Sequence, residues 1–416
     1  MKIANAKALK AALDRALRQV EITDIHTHLY APCFRELQCW GIDELLTYHY
    51  LIAEFFRASD LPYDDFWKLP KRGQADAIWK ALFIDHSPLS EACRGVLTAL
   101  DRLGLDVKKR DLKAYRKYFD GQKVEKQIDR VFEIAGLRDC YMTNDPFDDL
   151  ERPVWEGGYR ADARFKAALR IDPILLGWDK AMPRLKEWGY DVEPEVTDRT
   201  AAEVRRFLGT WAKRMDGRYV GVSLPPTFAA PEDSVTGRML EKAVLPACLE
   251  LELPLALMVG VKRRVNPGLR MAGDAVGLAR IEPVEYLCAR YPKNKFMLTM
   301  LARENQHGAC VAARKFRNLH LFGCWWFVNN PSIIDEITRE RIELLGPLVT
   351  PQHSDARILE QVVYKWDHSK KVIGDVLLEK YTDLLGSGWT LDEKELRRDV
   401  DGFFGGNFRE FLKRRL

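Results

Sequence analysis

The chain has 416 residues, of which 47% are hydrophobic and 30% charged, so apolar material for a core is ample and a disordered chain is excluded. Lysine and arginine number 65 against 61 for aspartate and glutamate, a net charge of +4 that offers no large field to nucleic acid or to an anionic membrane yet leaves room for a small anionic ligand. The eight cysteines are scattered, with no CxxC pair, so reduced thiols are expected and not a disulfide framework or a structural zinc site.

The first residues, MKIANAKALKAALDRALRQV, read as an amphipathic charged helix without the apolar core of a signal peptide. No later stretch offers about 18 consecutive apolar residues. The expectation is a cytoplasmic protein with neither membrane nor nucleic-acid partners; a homo-oligomer is compatible with the sequence.

Short apolar runs that read as buried strands recur between longer helical patterns: Glu21 to His28, Leu137 to Thr143, Ala167 to Ile171, Tyr219 to Leu224, Leu255 to Val259, Lys295 to Met300, Asn318 to Phe322 and Leu348 to His353. Alternation of strand and helix argues for a parallel sheet, and about eight such units argue for an α/β fold closed as a (β/α)8 TIM-like barrel. More than a hundred residues separate the first two strands, far beyond an ordinary crossover, and they predict helices over Ile42 to Ala58, Gly73 to Phe83, Leu89 to Leu103 and Lys123 to Ala135. The chain therefore divides into 1–30 (N-terminal helix and strand 1), 31–135 (a helical insertion after strand 1) and 136–416 (the remaining barrel). Packing helices are expected near the C-terminus, at Val372 to Leu385 and Glu393 to Phe404.

Asp24-Ile25-His26-Thr27-His28 closes the first strand, and alternation puts His26 and His28 on one face. Two imidazoles so placed chelate a cation, although hydrogen-bonded polar residues at a strand end satisfy the same spacing. Gln352-His353-Ser354-Asp355-Ala356-Arg357 follows the last strand, which in a barrel closes against the first, so Asp355 is brought toward the two histidines. Two imidazoles and a carboxylate suit one divalent first-row ion; the competing role for Asp355 is a helix N-cap. Arg170, at the end of the third strand, and Arg357 present planar forks that suit a carboxylate and vicinal hydroxyls, while a salt bridge to Asp172 or Asp145 is the rival account of Arg170. His49 and Tyr50 carry no spacing signature and read as core residues. Trp325, in Gly323-Cys324-Trp325-Trp326-Phe327, either walls a sugar pocket or packs in the core, and the basic run Lys262-Arg263-Arg264 is either near a ligand or solvated.

The order of these motifs resembles that of the uronate isomerases, divergent members of the amidohydrolase superfamily, over nearly the whole chain. DIHTHL is similar to that family's DxHCHL, and TYHYLIAEFFR to its HY-containing helix after the first strand. TNDPFDDL is similar to its TDDPxDSL, LRIDP to its WRPD, GCWWF to its GWWF, and HSDARILEQVVYKW to its TDSRSFLSYxRHEYF. The resemblance implies His26, His28 and Asp355 as ligands of a divalent metal, with His49 and Tyr50 as contacts to substrate oxygens. It also implies Arg170 and Arg357 as substrate anchors. Three departures mark a divergent subgroup: Met258 stands where a histidine is common, HTH replaces HCH, and the chain is shorter than most members.

The implied reaction interconverts D-glucuronate with D-fructuronate, D-galacturonate with D-tagaturonate, or both, by proton transfer from C2 to C1 through a cis-enediol. Asp355 and a hydroxide held by the metal are the two candidates for the base, with His49, Tyr50 and Arg357 polarising the sugar oxygens. The alternatives are a mononuclear hydrolase or lactonase of the same superfamily and a noncatalytic sugar-acid-binding barrel. Against the hydrolase stand the missing further ligands, since the fourth to sixth strands end in Ser223-Leu224-Pro225, Met258 and Thr299-Met300.

Overall fold

A single sheet of seven parallel strands takes its strands in chain order: β1 (Ile22–Thr27), β2 (Leu137–Asn144), β3 (Phe165–Arg170), β4 (Val220–Leu224), β5 (Leu255–Val259), β6 (Phe296–Met300) and β7 (Leu319–Leu321). The computed structural model describes residues 2, 3, 5–159 and 162–416. Residues 1 and 4 of the expected N-terminal helical stretch lie outside this range, and the helix itself runs Ala6–Gln19 with Asn5 as its cap. No helix among the described residues is long and apolar enough to cross a membrane.

The strands are apolar on both faces because both are buried. Along β5, Leu255, Leu257 and Val259 join the large core beneath the helices, whereas Ala256 and Met258 point into a second cluster with Ile25, Tyr141, Ala168, Tyr219, Met297 and Phe322. Phe408 and Phe411, from the helix Asn407–Lys413, complete that inner cluster. Lys295, just ahead of β6, donates to the Leu412 carbonyl at 2.5 Å, so this helix covers the N-terminal ends of the strands and leaves their C-terminal ends to a site.

Where the eighth strand is expected, at Leu348 to His353, the structure has one bridge between Phe322 and Thr350 and no strand. Pro351 has no N–H to donate, and Asp355 adopts a left-handed backbone with φ +54°, so the ladder cannot continue. The segment is nevertheless held on both sides. Thr350 donates to Leu321 O at 3.3 Å and Gly323 to Thr350 O at 2.8 Å; Asp355 donates to His26 O at 3.1 Å and His28 to Ala356 O at 2.7 Å.

Helices fill the interval between β1 and β2 as the periodicity requires, with one correction of consequence. The helix expected over Ile42 to Ala58 is two helices, Ile42–Leu46 and His49–Phe55, broken at Thr47 and Tyr48. The Thr47 hydroxyl donates back to Asp43 O at 2.7 Å, and Tyr48 is extended with ψ 144°. The helices Glu91–Arg102 and Val124–Ala135 match expectation; the second stops at Gly136, whose φ of +70° turns the chain directly into β2. These helices enclose an apolar cluster of their own around Leu46, Phe55, Phe66, Trp79, Leu100 and Tyr115. The late helix begins at Gln361 and not at Val372, because Val362, Val363, Tyr364, Lys365 and Trp366 are all buried and show no amphipathic stripe.

Gly95 brings the helix Glu91–Arg102 against this late helix: a Cβ there would lie 2.6 to 2.7 Å from the Tyr364 ring. Gly95→Ala is therefore expected to destabilise the protein by about 1–3 kcal/mol despite the helix propensity gained, as overpacking of a close contact does. Denaturant unfolding of the variant against the parent measures it, and equal midpoints would mean that the Tyr364 ring yields without cost.

Candidate active site

β1 ends with its two histidines on one side of the sheet, His26 fully buried and the His28 side chain 20% exposed. Asp355 Oδ1 lies 3.5 Å from His26 Nε2 and 3.5 Å from His28 Nε2, and the ligand atoms of all three fall within 4.8 Å of one another. At 3.5 Å neither contact is a good hydrogen bond, and His26 Nε2 and Asp355 Oδ1 are both buried without a hydrogen-bond partner.

The ring of His26 is oriented from behind. Tyr219 donates its hydroxyl proton to Ile25 O at 2.9 Å, so at 3.3 Å from His26 Nδ1 it can only accept, and Nδ1 carries the proton. His26 Nε2 is thereby turned toward the carboxylate, with no partner at hydrogen-bonding distance. Burial pushes His28 down to about 3, which leaves it neutral. Burial alone would raise the Asp355 carboxyl, but the two imidazoles beside it hold it well below the usual carboxylate range. Around a tetrahedral ion with bonds of about 2.0–2.1 Å, ligand atoms stand roughly 3.3–3.4 Å apart, close to the two 3.5 Å separations seen here. The three residues fit a divalent cation.

The pocket in front of them is lined from the C-terminal ends of the strands, by His28, Arg170, Ser223 and Met258, and by Trp325, Trp326, Asp355 and Arg357 from the segments after β7. The helix break supplies Tyr48 and His49, and the loop after β5 supplies Arg263 and Met271. Burial pushes His49 down to about 3, and its Nε2 has no partner. Arg357 has no carboxylate partner among the described residues, and its backbone N–H donates to Gln361 Oε1 at 3.0 Å.

Of the residues singled out in the sequence, the pocket thus brings together His28, His49, Arg170, Trp325, Asp355 and Arg357, with His26 directly behind. Arg170 forms the salt bridge to Asp172, through Nε at 2.8 Å and Nη2 at 3.0 Å, and also faces the pocket. Tyr50 is not on the wall. Its ring packs edge-on to His49 at 4.6 Å and Tyr48 at 4.9 Å, and Tyr48 takes the lining position because the new helix starts at His49. Arg263 lies at the rim with its side chain exposed, paired with Asp274 at 2.6 Å, and so lines the pocket while remaining in contact with solvent. Sequence reasoning missed Tyr48, Trp326, Ser223 and Met271. Trp326 and Tyr48 adjoin residues already chosen, and Ser223 follows from strand alternation at the end of β4, but Met271 carries no sequence signal.

No protein-family model matches the chain, and no curated protein does. Solved structures do. A uronate isomerase from Bacillus halodurans is 52% identical, with a TM-score of 0.97, covering 99% of this chain and 98% of that one. A uronate isomerase from Thermotoga maritima (16% identity, TM-score 0.78, 97% of each chain) has the same fold. So does a glucuronate isomerase from Caulobacter crescentus (15% identity, TM-score 0.76, 99% of this chain and 98% of that one).

Removing the acceptor of the His26 Nδ1 proton tests the geometry. Tyr219→Phe keeps the ring against Tyr141 and Phe408 but frees the imidazole to change tautomer. The variant is expected to fold and to bind a divalent cation about 10- to 100-fold more weakly. Titration with Co2+, read by visible absorbance, measures this; unchanged affinity would remove Tyr219 from the support of the site.

Proposed function

The chain belongs to the uronate isomerase family, and we propose that it interconverts an aldose uronate with its ketose, D-glucuronate with D-fructuronate, D-galacturonate with D-tagaturonate, or both, through a cis-enediol. The observation that carries the chemistry is the composition of one pocket. A buried, ionised carboxylate stands against two imidazoles, beside a guanidinium that has no carboxylate partner among the described residues. An acidic polyol brings the anion and the vicinal oxygens that such a set accommodates.

The architecture is read as a (β/α)8 barrel in which the segment after β7 closes onto β1, with 31–135 as a helical insertion and 136–416 as the rest of the barrel. The hydrogen bonds on both sides of Thr350 and Asp355 support the closure, and the separate apolar cluster supports the insertion. Sites in such barrels sit at the C-terminal strand ends, where Arg170, Ser223 and Met258 stand. The hydrolase alternative needs further ligands at those positions, and neither Ser223 nor Met258 offers a suitable one.

Isomerisation removes a proton from C2, returns it to C1 and shifts a proton between O1 and O2. Asp355 is assigned the carbon-bound proton: its Oδ1 faces the imidazoles, and its Oδ2 accepts no hydrogen bond among the described residues. Neutral His49, with Nε2 unpartnered, passes the proton between the sugar oxygens, and Tyr50 braces it edge-on. Arg357 faces the negative charge that develops on the enediol. Arg170, with Nε and Nη2 fixed on Asp172, presents Nη1 to the polar tail of the open-chain sugar. Trp325 lines the pocket with a flat apolar face that excludes water. A divalent ion, zinc first among candidates for two imidazoles and a carboxylate, would be held by His26, His28 and Asp355 and would supply charge stabilisation to the sugar oxygens.

A panel of uronates against their neutral parent sugars tests the reading directly, and inertness toward every uronate would remove it. In deuterated water the ketose is expected to carry solvent deuterium at C1, at least in part, because a carboxylate reached by water exchanges its proton. Asp355→Asn is expected to lower isomerisation and exchange by at least ~1,000-fold. The metal content of that variant must be measured alongside, since a metallated and active Asp355→Asn enzyme would take the proton transfer away from Asp355. Arg170→Met is expected to cost at least ~100-fold in turnover with the fold intact, and unchanged kinetics would leave Arg170 as the partner of Asp172 alone.

A further inference from the structure

Lys365 is a buried lysine without a carboxylate partner among the described residues. It lies in the first turns of the helix Gln361–Gly386, is 5% exposed, and forms no ion pair among the described residues. Its ammonium has three protons to donate and one long contact, 3.5 Å to the carbonyl of Asn329. Aromatic faces take up the rest of its surroundings, with the Tyr50 ring centroid 5.6 Å and the Tyr364 centroid 5.3 Å from Nζ. A cation buried in this way costs stability, and an apolar side chain of similar volume would fill the space without that cost.

Two of its contacts, Tyr50 and Asn329, lead to the two halves of the pocket. Tyr50 packs edge-on against His49 and Tyr48, which line the pocket from the helix break. Asn329 ends the turn that carries Trp326, and its side-chain amide donates to the carbonyls of His353 and Ser354 at 3.2 Å each, immediately before Asp355. The ammonium thus bridges the aromatic wall and the backbone that presents the carboxylate, and it reaches no solvent that would screen its charge. Burial pushes the Lys365 ammonium down to about 8, with Glu91 and Asp355 among the groups that favour its charge.

We propose that Lys365 is a positioning residue of the reaction, a buried positive charge that stabilises, from behind the Tyr50 ring and the Tyr48 and His49 wall it backs, the negative charge that proton removal from C2 develops in front of them. The inference rests on the isomerase reading. Because the charge acts at a distance and touches no substrate, its effect falls on the step in which negative charge grows and not on the binding of an already anionic sugar. Its retention against the cost of burial then has a cause that packing does not provide.

The test compares the metal-loaded parent with Lys365→Met and Lys365→Arg in kcat, KM, metal content and thermal unfolding. Lys365→Met is expected to keep its metal, to unfold at the same or a higher temperature, and to lose at least about 30-fold in kcat, the order expected of a unit charge acting over several ångströms in a partly screened interior, with KM within about threefold. Lys365→Arg, which restores the charge, is expected to recover much of that kcat. A Lys365→Met enzyme with kcat within about threefold of the parent overturns the proposal. So does a loss of activity that parallels a loss of stability and that Lys365→Arg does not relieve. Should Lys365→Met fail to fold, Lys365→Gln decides on the same criteria, since it keeps a donor for the Asn329 carbonyl and lacks the charge. A parent inert on every uronate would instead sink the isomerase reading on which the inference stands.

Discussion

Asp355 presents an ionised carboxylate to the buried His26 and to the neutral ring of His28 at the floor of the pocket, and the neighbouring elements are arranged so that this contact persists. Burial makes it costly, since polar groups stand 3.5 Å apart without a good hydrogen bond between them in a medium that screens poorly. The backbone holds it in place. Asp355 is left-handed, tied by its N–H to His26 O, while Asn329 binds the two preceding carbonyls. Asp24 accepts from Ser354 N at 3.0 Å and from Trp366 Nε1 at 2.8 Å. Strain concentrated at one residue and over-determined by its surroundings is the pattern of a functional site.

Three separate lengths of chain meet over this contact, and each does a different job. The strands provide a rigid frame, with Arg170 locked onto Asp172 and Met258 filling the inner cluster. The helices between β1 and β2 have their own apolar core, so they can deliver Tyr48 and His49 at a helix break without borrowing stability from the sheet. The loop after β5 is pinned to those helices, Trp67 Nε1 donating to Gly268 O at 2.9 Å and Arg270 lying 4.4 Å over the Trp67 ring. That clamp carries Arg263 and Met271 to the rim. A pocket assembled this way joins a precise floor to walls that vary independently of it.

Charge is handled by the same separation. His28 and His49 are neutral through burial, Asp355 is ionised through its partners, and Arg170 is neutralised by Asp172 before any ligand arrives. Arg357 and Lys365 are the cations near the pocket that no carboxylate answers among the described residues. An anionic ligand therefore meets a site whose excess charge is already oriented, which spares reorganisation when charge moves.

The amino-acid sequence by itself determined the class of fold and the floor of the site. Seven apolar runs became strands within a residue or two of where they were expected, because burial on both faces leaves a contiguous signal, and the spacing in His26-Thr27-His28 survives any detail of packing. Asp355 and Arg357 were legible for the same reason, as polar residues directly after the last apolar run. Only the tertiary structure decided the rest. The expected eighth strand does not form because Pro351 and the turn at Asp355 interrupt a ladder that the apolar pattern alone would continue. Tyr48 replaced Tyr50 on the wall because the side chain of Thr47 caps back onto Asp43 and restarts the helix one turn later than its periodicity implies. Met271 and Lys365 owe their places to long-range packing: one rides a loop fixed by Trp67, and the other is buried by two aromatic rings, one of them 315 residues away in the chain. A local pattern records which side chains avoid water, but it does not record which distant surfaces close over them.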